Sequence, residues 1–570
     1  MAGISPSIWW LMPTWARLLD NPDAIMRNLD WRERIVPTLM VAGVVSLLLS
    51  QLSNAQRNDQ SASPAADLTA SSPGPWDNHS PCSTNKECIA AHGGEPYICQ
   101  KVTRTCVRLT SSECTLLAEE SDISDDNTVW VGLVTNVTDR PLRPLSVDFA
   151  RREFVKVGNG LPPANPGAAH RPLAFVSCDS TKGIDPIFNH LISELNLSAI
   201  IGPVYSQDTL RALTKYTLPA KAVMMSTATA AVFTGMQSGG LFLRTLASDA
   251  LQGKVLAFLP DQYVEPELRS DGVLAPGEQM KLFVAYRDDV YGQAIAHTLR
   301  TELRFNGKTA AANGDRFQIA DFGDPGDLAN TLPDAKYAST AAKILAMRPH
   351  VIAIVGSLET EKIIRAVEEG WPATLSYRPR WIGSEAVAVV LARLGTLEAS
   401  FARRFLFTNV RINFESPVAR SLISSVAEEH PDVVKRDARS VNALGLYDSV
   451  YAMAYAIASL RDEPLTGPNI AAALRRLNQP GAPVVNVGGI AIPGIYERLK
   501  SGRPFDLQGA SGSLDWDQNG DVVQDIDILC VKTATTSTGA SASIGTKPSG
   551  LYYDVRQNRF VGKIANCPGP

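Results

Sequence analysis

Six side chains offer the most usable chemistry in this sequence, and all six follow short apolar runs. Ser206 comes three residues after Gly202-Pro203, where the run at 197–202 ends. Ser226, Thr227 and Thr229 sit in "MMSTATAAVF". Tyr291 follows "KLFVAY" (281–286), and Glu385 follows "RWIG" (380–383). Where a strand empties into a helix, the first helical N–H groups lack internal partners and the helix dipole is positive. Such a turn can receive an anion. A ligand carboxylate could accept from these N–H groups and from the Ser206 hydroxyl, with the 226–229 hydroxyls beside it. Glu385 could hold an ammonium group, and Tyr291 could lay its ring on the ligand. One hydrogen bond to a charged group gives about 1.5–3 kcal/mol. A few of these, with some apolar burial, reach the roughly −8 kcal/mol of a micromolar complex.

Each residue also has an ordinary reading. Ser206 can cap its helix, with Asp208 in the first turn; a capping oxygen can still donate its hydrogen to a ligand. The hydroxyls at 226–229 can be chance clustering in a Ser/Thr-rich loop. Glu385 can be a solvated first-turn acid favoured by the helix dipole, and Tyr291 can be core.

Motifs for catalysis are missing. There is no G-x-x-x-x-G-K-[ST], no H-E-x-x-H and no G-x-S-x-G, and "GASGS" at 509–513 lacks the spacing of a nucleophile elbow. The seven histidines are scattered without an H-x-x-x-H pair, so no histidine zinc site is expected. Asp515, Asp517, Asn519 and Gly520 fit positions 1, 3, 5 and 6 of a calcium loop, but Ile526 stands where a bidentate Glu belongs. The expectation is a binding protein with no catalytic residue, no metal and no cofactor. A formal net charge of −4 gives no basic field for nucleic acid.

The elements that must position these residues are legible from about Val129 onward. "VWVGLV" (129–134), "LAFVSC" (173–178), "LSAIIG" (197–202) and "AVMMS" (222–226) read as buried strands. A second series follows in "KLFVAY", "HVIAIVG" (350–356) and "RWIG", with helical patterns at 185–195, 208–216, 294–305 and 360–369 between them. Strands buried on both faces with helices between them mean parallel sheets, and two series mean two α/β lobes. A long helical stretch covers 440–460, and Asn519-Gly520 between extended runs signals a hairpin.

Upstream, an apolar run at 36–49 is preceded by Arg27, Arg32 and Arg34 and followed by Ser53-Asn54-Ala55. That pattern predicts a signal peptide or N-terminal anchor over 1–55, with Gln56 as the first mature residue and Met26 as an alternative start. Residues 56–81 are rich in Ser, Ala, Pro and Asp and read as a disordered linker. Exported chains form disulfides. Cys82, Cys88, Cys99 and Cys106 are expected to staple a small module at 82–114, with three connectivities open. Cys114 with Cys178 and Cys530 with Cys567 are the expected long-range pairs.

Eight segments, "AIIGPVYSQDT", "VMMSTAT", "LFLRTLASDALQGKVLAFL", "VAYRDDVYGQAI", "VIAIVGSLETEKIIRAVEEG", "WIGSEAV", "NALGLYDSVYAMAYAI" and "GSLDWDQNGDV", together resemble the type I periplasmic binding proteins. The likeness is to the leucine/isoleucine/valine-binding branch of ABC transporter substrate-binding proteins, over about 128–532. The resemblance implies two Rossmann-like lobes joined by crossovers near 260–280, 405–412 and 485–512. The first lobe would be 128–259 plus 410–485, and the second 280–408 plus 510–565. It implies that Ser206 and the 226–230 loop hold a ligand carboxylate, that an acid matching Glu385 holds the ammonium, and that Tyr291 lines the cleft. Three positions depart from the family: Ala230 replaces its usual threonine, "TNVTDRPLRPLS" (135–146) replaces a glycine-containing loop, and Ser357-Leu358 replaces an aromatic. The cysteine-rich segment loosely resembles the disulfide modules of Dickkopf-type domains. The implied function is capture of an amino acid or related amide for an ABC permease, in the periplasm or cell envelope of a Gram-negative bacterium. The alternative is an envelope ligand sensor or interaction protein that docks a partner through 82–114.

Overall fold

Parallel strands covered on both faces need apolar side chains on both, and the apolar runs become such strands. The computed structural model describes residues 81–565 and 567, apart from 166, 326–333, 392, 395, 396, 398, 438, 439, 480 and 536–540. The signal segment and nearly all of the expected linker lie outside the described residues. All described residues belong to one compact unit. No helix among them is long and apolar enough to cross a membrane.

The first lobe carries five parallel strands, Val129–Thr135, Leu173–Asp179, Ala199–Ile201, Val223–Ser226 and Phe242–Arg244. The second carries Leu282–Tyr286, Phe317–Asp321, Val351–Val355, Arg380–Gly383 and Phe405–Val410, also parallel. Counted along each lobe, both sets are ordered 2-1-3-4-5. The first two strands of each sheet therefore wind one way and the rest the other. That reversal makes a switch point between strands 1 and 3, where open α/β sheets hold ligands beyond their carboxyl ends.

Antiparallel strands extend both sheets. Cys114–Leu117 edges the first beside Leu173–Asp179, and Ile526–Thr535, Ser541–Asp554 and Arg559–Gly562 continue the second. Helices Leu142–Gly158 and Val441–Ser459 cover one face of the first sheet, with Phe154, Tyr451 and Tyr455 in one buried cluster.

The lobes meet at three crossovers, 245–248, 411–413 and 509–525. The first corrects the expectation near 260–280. Helix Asp249–Leu259 packs Val255, Leu256 and Leu259 into the core of the second lobe with Leu282 and Val284. Its apolar stripe alone did not say which sheet it would cover. The third crossover also starts later than expected, because Val484–Asn486 and Asp506–Gln508 pair with each other on the first lobe's side.

All four disulfides close: Cys82–Cys99, Cys88–Cys106, Cys114–Cys178 and Cys530–Cys567. The cysteine-rich segment is a helix, Asn85–Ala91, against a hairpin of Tyr97–Gln100 and Thr105–Arg108. Ile98 and Leu109 enter the same buried cluster as Val176 and Ile200 of the first sheet, so the segment is fastened to that lobe. The 515–520 stretch forms a turn whose Asp517 Oδ1 accepts from the N–H groups of Asn519 and Asp521, at 2.8 and 3.0 Å. Asp517 thus serves the turn.

Candidate ligand-binding site

A chain of contacts links strand-end residues of the two lobes. Helix Ser206–Ala212 of the first lobe touches helix Val290–Glu302 of the second, and Val290 packs against the first lobe's core. On the second lobe the Tyr291 hydroxyl donates to Glu385 Oε2 at 2.9 Å. Glu385 lies near Asp249, the first residue of the helix that follows the first crossover. The Asp249 N–H in turn donates to the carbonyl of Thr229 at 2.7 Å, closing the circuit back to the first lobe.

Each expected residue has a definite place. Ser206 is buried as the first helical residue; Tyr205 holds the cap position without a side-chain cap bond. The capping alternative therefore does not hold, and the Ser206 Oγ accepts from the Ala230 N–H at 3.2 Å. That bond ties two strand-end loops together and leaves the hydroxyl hydrogen to be donated. Ser226 is committed to its own turn: its hydroxyl donates to the carbonyl of Pro203 and accepts from the Ala228 N–H. Thr227 is 2 % exposed, and its Oγ1 has no hydrogen-bond partner. Thr229 contributes its carbonyl, which also accepts from Arg244. Gly202 makes the close turn possible at φ 90°, because a Cβ there would lie 2.0 Å from the carbonyl oxygen of Val134.

Two functional candidates escaped the sequence reading. Asp249 is 1 % exposed; its Oδ1 accepts from Gln252, and its Oδ2 has no partner. Burial and the neighbouring Glu385 charge push its carboxyl well above the usual range. Glu385 is pushed up too, by burial. The only signal for Asp249 is the pattern "SDALQ" (248–252), which reads as an ordinary helix start. Arg143, second residue of helix Leu142–Gly158, is also buried, and its Nε and Nη1 have no hydrogen-bond partner. Its guanidinium lies 5.4 Å from the Tyr205 ring centroid.

The loop that carries Thr227 and Thr229 is held from behind. Arg244, fully buried, donates to the carbonyls of Thr229 and Ala230, to the Thr234 hydroxyl and to Asp521. The strand ends therefore carry a basic group and hydroxyls on the first lobe. The second lobe adds two carboxylates and a phenol.

No family model matches the sequence, and no curated protein does. Solved structures similar to this chain include an ABC transporter substrate-binding protein from Desulfitobacterium hafniense in complex with Leu. It is 17 % identical, covering 73 % of this chain and 100 % of that one at a TM-score of 0.46. A solute-binding protein of an ABC transporter from R. palustris, in complex with benzoate, is 13 % identical over 77 % of this chain and 99 % of that one, at a TM-score of 0.48. Another from Rhodopseudomonas palustris BisB5, with 3,4-dihydroxy benzoic acid, is 14 % identical over 74 % and 98 %, at a TM-score of 0.47. Likeness this remote leaves the function to the chain's own residues.

Proposed function

We propose that this protein is a non-enzymatic binding protein that closes its two lobes on a small zwitterionic molecule, an amino acid or a close relative. The observation that carries the reading is a set of unpartnered buried polar atoms at the strand ends. Thr135 Oγ1, Arg143 Nε and Nη1, Thr227 Oγ1, Asp249 Oδ2 and Ser384 Oγ belong to strand ends or to the turns and helices that follow them. Buried polar groups are nearly always paired, so a set that is not paired calls for a missing partner. Glu385 and Asp249 would hold the ammonium end, with Tyr291 fixing Glu385. Ser206 and Thr227 would donate to the other end, with Thr229 and Ser226 shaping the loop. The reading extends to delivery of the molecule to an ABC permease from the periplasm or cell envelope.

A thermal-shift screen against the common amino acids and amides tests it. A ligand at 100 times its Kd adds about 2.7 kcal/mol of stability. The Ser206→Ala/Glu385→Gln double variant should lose the shift; a variant that shifts like wild type removes the assigned pocket. The sensor reading has one observation in its favour. The hairpin tip of the cysteine-rich segment holds Val102 at 76 % exposure beside exposed Lys101 and Arg104. Substituting Val102 by Asp separates the two readings: delivery to a permease is unaffected, whereas a docking tip loses its partner.

A further inference from the structure

We propose that Arg143 is the anion-binding residue of the cleft, and hence that the captured molecule carries a carboxylate read by a guanidinium; this rests on the binding reading above. Among the described residues, buried guanidinium nitrogens without a hydrogen-bond partner occur on Arg143, Arg151, Arg152, Arg287 and Arg404. Four of these have a carboxylate at hand: Arg151 lies 2.8 Å and Arg152 3.1 Å from Asp148, Arg287 2.8 Å from Asp289, and Arg404 2.6 Å from Glu368. Arg143 has no carboxylate partner among the described residues, although it is only 5 % exposed. A guanidinium stays charged at any ordinary pH. Burying one without a counter-charge is costly, which favours a counter-charge supplied from outside the chain.

Its place in the fold says what for. Arg143 belongs to the turn and helix after the first strand, and Tyr205 to the turn after the third. These two turns flank the switch point of the first lobe. The contact between guanidinium and ring spans that point, and Tyr205 immediately precedes Ser206. Thr135 Oγ1, at the end of the first strand, is buried and unpartnered on the same edge. A guanidinium beside a ring, with hydroxyl donors on the same edge, matches a planar carboxylate, which takes parallel N–H bonds and further donors on its remaining lone pairs. The second lobe supplies the acids, so the carboxylate end faces the first lobe and the amine end the second.

The test compares amino acids with their own primary amides, by calorimetry on the purified chain and on Arg143→Met, Arg143→Lys and Asp249→Asn/Glu385→Gln. Wild type should bind the preferred amino acid about 10–100-fold tighter than its amide, the range expected from one hydrogen-bonded charge. Arg143→Met should abolish the preference for the acid over the amide by weakening the acid far more than the amide, while Arg143→Lys keeps part of the preference. In the absence of any added compound Arg143→Met should raise the Tm by about 1–2 °C, since an uncompensated charge is replaced by an apolar side chain of similar length. A fall in that Tm marks Arg143 as a structural residue and overturns the assignment. So does an acid-over-amide preference that survives in Arg143→Met. If Asp249→Asn/Glu385→Gln binds as wild type while Arg143→Met does not, the anion site stands and the ammonium half of the functional reading fails. If wild type binds neither acids nor amides, both fail.

Discussion

The two lobes repeat one strand order, and each spans its switch point with an arginine, but the two arginines live differently. In the second lobe Arg287, after the first strand, lies 2.8 Å from Asp289 and 3.3 Å from Glu359, which follows the third strand. In the first lobe Arg143 reaches the equivalent turn and finds only the Tyr205 ring. An arginine that follows the first strand is thus matched by carboxylates in one lobe and has only an aromatic ring beside it in the other. A charge that is matched within the fold serves the fold; the unmatched one is the charge we propose to be kept for a ligand. The largest effect should come from breaking the matched one. Arg287→Met strands Asp289 and Glu359, both largely buried, and should cost about 3 kcal/mol, read by urea denaturation. Arg143→Met should cost nothing by the same measurement. Equal losses would erase the distinction.

Two buried aspartates repeat the contrast. Asp448 in helix Val441–Ser459 is fully served: its carboxylate accepts from the N–H groups of Ala510 and Ser511, each at 2.7 Å, and from the Ser511 hydroxyl. It clasps the start of the third crossover, where a Cβ on Gly509 would lie 2.3 Å from its Oδ2. Asp249 keeps one oxygen unserved beside a second acid. Asp448→Ala leaves two N–H groups buried and unpaired, so a loss of about 2 kcal/mol is expected from denaturation curves. Asp249→Asn removes a charge repelled by Glu385 and should leave stability level or raise it by up to about 1 kcal/mol. A loss in Asp249→Asn as large as in Asp448→Ala would make both structural.

Acidity sharpens the same pair. Burial raises Asp448 from 3.8 to about 7 in the folded state. Between those values the folded protein binds more protons than the unfolded chain, so the contribution of Asp448 to stability falls as pH rises from about 4 to 7 and is level above. Asp249 is raised in the same direction by burial and by Glu385. The ligand-free protein should therefore gain stability as pH drops from 7 toward 5 by way of these groups. Asp448→Asn should flatten that part of the profile more than changes to exposed acids do.

What could be read beforehand follows from how each feature is encoded. "VWVGLV" and "RWIG" announce buried parallel strands because both faces must be apolar, and Arg380–Gly383 is a strand over the whole expected run. Ser, Thr and Glu at strand ends are visible in the sequence, but their pattern alone does not separate a cap or a solvated acid from a ligand contact. Arg143 was hidden in "RPLRPL", since an arginine in a first helical turn usually lies in water; its burial depends on Tyr205, distant in sequence. Asp249 was hidden because its meaning depends on Glu385, on a different element. The first crossover was misplaced for a related reason: the stripe of Asp249–Leu259 is equally apolar whichever sheet it covers. Local patterns declare elements, but pairing between distant charges is a property of the assembled fold.

The smallest effect tests the two ends of the cleft against each other. An anion that arrives at a guanidinium exchanges no protons with it. Asp249 and Glu385 are held above the usual carboxylate range, so an ammonium arriving there draws them toward the charged form. Binding should then release up to roughly one proton, and affinity should strengthen as pH rises toward neutrality. Calorimetry in two buffers of different ionisation enthalpy reads that proton directly. An amino acid and its amide should release the same amount, because both bring the same ammonium. Release should shrink in Asp249→Asn and persist in Arg143→Met. If release instead follows the carboxylate, the ends are reversed, and the acids of the second lobe do not receive the amine.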